Sequence, residues 1–131
     1  GAGGSSALIN GVSGSNTRFG DKEWLGFWGE DLEITITFAK PTKISKISTR
    51  FYNANGQWVY APKAIEVQTD FGTLPVIKLP ATDQTILDVN LKASGTTSFI
   101  KISVPSFGSI PDGLQGAGNK AWTFIDEIVV E

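Results

Sequence analysis

The chain has no cysteine, no histidine and no methionine among its 131 residues. Without cysteine there can be no disulfide and no thiolate metal site, and nothing indicates a redox compartment. Without histidine the commonest general base is missing, and cysteine and histidine together are the two commonest zinc ligands. A serine triad therefore has no base. Charge is also sparse: 11 Lys and Arg face 13 Asp and Glu, for a net −2. That excludes a basic surface for nucleic-acid phosphates. No apolar run approaches the roughly 18 residues of a membrane-spanning helix. No secretory-signal pattern is seen, and the opening Gly1–Ser6 reads as a linker or an expression remnant. Residues 7–131 are long enough for one domain with a hydrophobic core.

What is present is strand. Leu32–Phe38 alternates strictly, with Leu32, Ile34, Ile36 and Phe38 on one face. Ile44–Tyr52 is a second strand with irregular early spacing, which points to a bulge or a twist. Ala64–Thr69, Ile86–Leu91, Ser98–Val104 and Trp122–Val130 follow. Turn-rich separators divide them at Ala39–Thr42, Asn53–Gly56, Asp70–Gly72, Ala93–Thr96 and Pro105–Asn119. No twelve-residue stretch has helical periodicity, and no internal repeat or second domain is visible. Six or more short strands with regular turn signals predict an all-β fold, an antiparallel β-sandwich or jelly roll. The glycine-rich Pro105–Asn119 segment is the length of a functional loop.

Aromatic residues beside glycines supply the chemistry. Trp24–Ile36 opens with two tryptophans, a phenylalanine and two glycines directly before a strand, and Ala121–Val129 brings a second aromatic strand near the other end. A ring face suits the C–H-rich side of a pyranose, and fixed polar groups suit its hydroxyls. Trp28, Trp58 and Trp122 are candidate platforms, and each has an alternative reading as a packing residue. Asn53, Asn55 and Gln57 precede Trp58, and their amides can hydrogen-bond vicinal hydroxyls. Gln115 and Asn119 in the long loop, and Arg18 and Phe19 in the first loop, complete the candidate ligand set. Trp24 and Phe27 read as packing residues. The carboxylate pair Asp126–Glu127 inside an apolar strand needs a reason, and a bound cation is one. Neighbours on a strand face opposite ways, so only one of the two is expected at such a site.

The segments Leu8–Gly11, Trp24–Phe27, Gly29–Glu33, Phe51–Trp58, Ala61–Val67 and Ala121–Ile128, in that order, resemble the discoidin, or coagulation factor 5/8 type C, family. Within it the chain is similar to the family 32 carbohydrate-binding modules appended to bacterial glycoside hydrolases, notably hexosaminidases of gut Bacteroidetes. The likeness runs from Ala7 over nearly the whole chain. It implies a galactose-binding-domain-like jelly roll whose loops at one end bind a glycan of galactose or N-acetylhexosamine type. It also implies a structural calcium ion. The family's ligand positions fall on Asn10, Ser15 and Glu127, with backbone carbonyls near Leu8 and Ser13. Asn10 stands where the family has aspartate, so one ligand charge is given up. The late loop lacks the histidine or arginine that many sugar-binding members carry, and Gln115 there can hydrogen-bond but carries no charge.

Four functional readings follow. The first is a non-catalytic carbohydrate-binding module in a larger secreted, periplasmic or cell-surface bacterial protein, with the catalytic domain of that protein as its neighbour. The alternative is a structural accessory domain that binds no glycan. Independent glycoside hydrolysis needs two carboxylates about 5–10 Å apart across a cleft, and the pairs Glu30–Asp31 and Asp126–Glu127 are adjacent on strands. Protein or membrane-surface adhesion needs basic or apolar loop tips, whereas Lys40, Lys43, Lys46 and Arg50 lie along one strand region and read as a solvated face.

Overall fold

The computed structural model describes residues 4–12, 17–19 and 25–131. Ten strands run in chain order: β1 (Gly4–Val12), β2 (Thr17–Phe19), β3 (Leu25–Trp28), β4 (Asp31–Tyr52), β5 (Ala64–Thr69), β6 (Gly72–Thr73), β7 (Ile77–Lys78), β8 (Ile86–Val104), β9 (Trp122–Ile125) and β10 (Ile128–Val130). Among the described residues the only helical element is one 3-10 turn, Asn55–Gln57. The chain is an all-β sandwich, as the alternation predicts. Nearly all pairings are antiparallel, and the exception is β1, which runs parallel to β4 from Gly4 opposite Asp31 to Val12 opposite Phe38.

β4 and β8 form the spine, pairing antiparallel from Leu32–Val104 to Tyr52–Ile86. Each spans two of the expected strands, so the expected separators at Ala39–Thr42 and Ala93–Thr96 are not turns. They are corners inside continuous strands, where the ladder shifts register between Thr37 and Thr42 and again between Ile44 and Lys46. Pro41 is tolerated in β4 because its missing N–H falls in the first of these gaps. The irregular spacing of Ile44–Tyr52 is the second.

The burial pattern shows what the corners do. In β4 the buried residues are Leu32, Ile34, Ile36, Phe38, Thr42 and Ile44, and then Ile47, Thr49 and Phe51. In β8 they are Val89, Leu91, Ala93 and Thr97, and then Ile100, Ile102 and Val104. Each strand changes parity once, at its own irregularity. A bulge adds one residue and bends the strand. Here the unequal residue counts at the two irregularities keep one face of the sheet pointing inward on both sides of each corner. The sheet thereby wraps one core, in which Ile36, Phe51, Val67, Ile100 and Ile102 are fully enclosed.

Corner polar groups are satisfied locally. The buried Thr97 hydroxyl donates to Phe99 O at 2.7 Å and accepts from Asp70 N at 2.9 Å. Asp70 Oδ2 accepts from both Ser98 N and Ser98 Oγ at 2.6 Å. These bonds clip the β5–β6 turn to the β8 corner. They favour the carboxylate and hold Asp70 below the ordinary aspartate range. The sign follows from linkage: a depressed acid gives support above its unfolded pKa and loses it as pH falls through the folded value. Acid titration is therefore expected to release the clip only below the ordinary aspartate range. The Ser98 amide shift should follow the Asp70 carboxyl resonance, and both should be pH-silent there in Asp70→Asn.

Trp122–Val130 is expected as one strand and is two. Ala121, Thr123 and Ile125 are buried, and then Ile128 and Val130, so parity changes across Asp126–Glu127. The pair sits in a break between β9 and β10, where Asp126 N donates to Arg50 O at 3.0 Å. Because the strand is broken, the opposed orientation expected for the two carboxylates does not occur. Both line one cleft of about 450 Å³ together with Arg50, Asp88 and Asn90.

Candidate functional site

β3 and β9 form a two-stranded ribbon in which Gly26 lies opposite Phe124 and Trp28 opposite Trp122. Alternate residues of a strand share a face, so Trp122 and Phe124 project together while Thr123 and Ile125 point into the core. The Trp122 and Phe124 rings are 5.8 Å apart, and Trp122 and Trp28 are 6.4 Å apart and tilted by 43°. Gly26 makes room for this strip. A Cβ there would stand 1.8 Å from Phe124 Cε1, so the phenyl ring occupies the space a side chain would need. Trp28 and Trp122 remain 48% and 37% exposed. That is unusual for side chains that usually bury most of their area, and it makes the strip a surface to which something can be added.

Lys120 orders one end of the strip. Its backbone carbonyl accepts the Trp28 indole N–H at 3.0 Å, and its ammonium stands 5.6 Å from the Trp28 ring centroid. The stem passes so close to Gly29 that a Cβ there would meet Lys120 Cδ at 2.4 Å, and Gly29 has φ +64°. Trp28 therefore has no free donor and can recognise a ligand only by its ring.

The adjoining loops are built as one unit. Trp122 N donates to Trp58 O at 2.8 Å, and Tyr60 N to Trp122 O at 3.1 Å. Trp58 follows the 3-10 turn with φ 61° and ψ 27°, a left-handed conformation that is a true outlier for a bulky residue. It is held by its own N–H on Asn55 O at 3.0 Å and by its indole against Gly116. The Tyr60 hydroxyl donates to Gln115 O at 2.7 Å. Within the long loop Ile110 N donates to Asn119 O and Gly118 N to Ile110 O. Ile110 packs with Tyr60, Ala121 and Phe107 in a small core of its own. The segment that reads as structure-poor is thus a pinned loop with a fixed shape.

Gly116 tests that pinning. It has φ +83°, and a Cβ there would lie 2.5 Å from Trp58 Cδ1. Gly116→Ala is expected to cost about 1–3 kcal/mol, because strain and clash act together. It should appear as a lower urea midpoint with a displaced Trp58 indole resonance.

The other candidates are distributed as follows. Gln57 is exposed on the 3-10 turn. The Gln115 amide lies across Gly56, and Asn119 Nδ2 donates to Gly116 O at 3.1 Å. Asn53 is buried, with Nδ2 donating to Thr82 O and Gln84 O and Oδ1 accepting from Ala61 N. Its amide donors are spent on the chain itself, so it holds the 79–85 loop. Asn55 Oδ1 is buried without a partner. Arg18 and Phe19 are expected in a loop but lie in β2, opposite Val129 and Ile128 at a sheet edge. Trp24 lies outside the described residues. Lys120 and Phe124 belong to the strip and are not among the sequence candidates. The same-face spacing of Trp122 and Phe124 was the available signal for the second.

Of the expected calcium ligands, Ser13 and Ser15 lie outside the described residues. Leu8 sits opposite Thr35, and Asn10 lies at the irregularity of the β1–β4 ladder between Ile9 and Val12. Glu127 shares its cleft with Arg50, whose guanidinium pairs with Asp126 and is raised in pKa first by that hydrogen bond and then by its charge, with Glu127 contributing as well. A divalent ion at Glu127 would have to sit beside that fixed positive charge. Among the described residues no group of 3 or more acidic side chains is placed to hold a metal.

No protein-family model and no curated protein matches the chain. Among solved structures, the pre-peptidase C-terminal domain of a collagenase from Bacillus anthracis is similar with a TM-score of 0.42 and 11% identity, over 93% of this chain and 94% of that one. CsCBM6-3 from Clostridium stercorarium, in complex with cellobiose, is similar with a TM-score of 0.43 and 14% identity, over 95% and 96%. A family 35 carbohydrate-binding module from an environmental isolate gives 0.45 and 12%, over 94% and 82%. A likeness this distant says nothing about a ligand.

Proposed function

We propose that this chain is a non-catalytic carbohydrate-binding module of the factor 5/8 type C kind, similar to family 32 modules. It keeps a larger secreted, periplasmic or cell-surface bacterial glycan-degrading protein on its substrate. The observation that carries the reading is the exposed Trp28–Trp122–Phe124 strip on the β3–β9 ribbon. The finer family assignment rests on the ordered sequence motifs.

Two indoles inclined by 43° make an angled wall and not a flat track. Such a wall takes the C–H face of one pyranose on one ring and its edge on the other, which suits a terminal galactose or N-acetylhexosamine. The Lys120 ammonium at the same end supplies hydrogen-bond donors for ring hydroxyls. Ring stacking with few polar contacts makes a weak site, and a tethered weak site works by raising effective concentration at the neighbouring catalytic domain. The strip contains no carboxylate to ligate an ion, so the same contact is expected with and without calcium.

The test is an NMR titration with galactose, N-acetylgalactosamine, N-acetylglucosamine and a mixed host-glycan digest, run once with calcium and once with chelator. Saturable shifts are expected at the Trp28 and Trp122 indole N–H signals, and they should be the same in both conditions. If no indole moves at millimolar ligand in a folded domain, the reading gives way to a structural accessory that packs on its catalytic neighbour.

A further inference from the structure

The long loop has a second side. Beside it is a cleft of about 500 Å³, lined by Pro62, Leu79, Pro80, Phe107, Pro111 and Leu114 and by no residue of the β3–β9 ribbon. That volume lies within the range of small-molecule sites, which are mostly apolar with few polar groups. Tyr60 and Phe107 stack at its base, with centroids 4.8 Å apart and planes 25° from parallel. Lys63 stands at the edge with Nζ 4.5 Å from the Phe107 centroid.

We propose that this cleft binds an aromatic carboxylate, at a site separate from the aromatic strip. The polar inventory argues against a sugar. The Asn53 amide donors are used on Thr82 O and Gln84 O, and the Tyr60 hydroxyl on Gln115 O. A pyranose in the cleft would lose most of its hydroxyl hydration without replacement, which costs more than its C–H faces return. A flat aromatic ring loses nothing against proline, leucine and aromatic walls.

Charge selects the rest of the ligand. No carboxylate pairs with Lys63 among the described residues. The Lys63 ammonium stands over an aromatic face at the cleft's edge, where it can meet an anion seated against that face. Asn55 also lines the cleft with its Oδ1 buried and without a donor.

The probe is 2-naphthoate, with neutral 2-naphthylmethanol as its uncharged counterpart, followed by heteronuclear NMR at low salt. Naphthoate is expected to saturate with shifts at the Ala61, Lys63, Phe107 and Leu114 amides while the Trp122 indole stays still. Lys63→Gln is expected to weaken naphthoate about 3- to 10-fold and leave the alcohol unchanged, as for loss of one charge-assisted contact. Leu114→Asp, on an exposed loop residue, should abolish binding of the acid by placing a negative charge at the mouth. Equal affinity for acid and alcohol, or an unchanged affinity in Lys63→Gln, would overturn the anion assignment. Shifts confined to the tryptophan strip, or none at all, would overturn the site.

Discussion

Trp122→Ala is expected to reduce glycan binding by at least about 30-fold, the loss typical of a central aromatic contact. Trp122 is the hub of the strip, since its ring neighbours both Trp28 and Phe124. Removing it separates the other two. The fold should survive, because the Trp122 side chain points outward while its backbone bonds to Trp58 and Tyr60 need no side chain. The paired measurements are glycan affinity by titration calorimetry and the urea midpoint. A variant that binds as well as the parent would remove the strip from the glycan contact. A variant that neither binds nor folds is separated from that case by Trp28→Ala, whose indole N–H donates to the Lys120 carbonyl and whose loss should reduce affinity with little change in stability.

Phe51→Ala has the largest expected effect on stability. Phe51 is 0% exposed and lies opposite Leu87 on one side and Ile125 on the other. It is the point where β9 joins the spine. Truncating a buried phenylalanine costs about 3–5 kcal/mol, combining lost transfer energy with the cavity left behind. A domain of this size holds about 5–15 kcal/mol in total, so the variant should lose a large part of its margin. Urea denaturation should show a lower midpoint with an unchanged slope. A loss below about 1 kcal/mol would mean that the surrounding side chains collapse into the space.

Much of the fold is legible in the residues. Strict alternation in Leu32–Phe38 and Ala64–Thr69 names the inward faces, because the side-chain period of a strand is two. The corners are not legible. Pro41 and Gly95 are turn formers in isolation, and only the partner strand shows that they sit in bulges of continuous strands. The break at Asp126–Glu127 is equally hidden, since Trp122–Val130 has the composition of one strand and its parity change depends on the join to Arg50. At the site, Trp28 and Trp122 stand out as aromatics beside glycine, while their meeting across a ribbon is set by register. Tyr60 and Phe107 are 47 positions apart in sequence (107 − 60), and nothing local announces that they stack.

The paired corners also set which changes of length the domain can absorb. Each long strand changes inward parity once, near 45 in β4 and near 98 in β8, so deleting a single residue from a regular run before such a corner, such as Leu32–Phe38, would turn every later side chain of that strand inside out. Hydrophobic residues such as Ile47 and Phe51 would then face water, and Ser48 and Arg50 would face the core. Length changes in lineages that share this architecture should therefore gather in the 70–85 connection and the 105–121 loop. The spine should keep its residue count even where its residue identities drift.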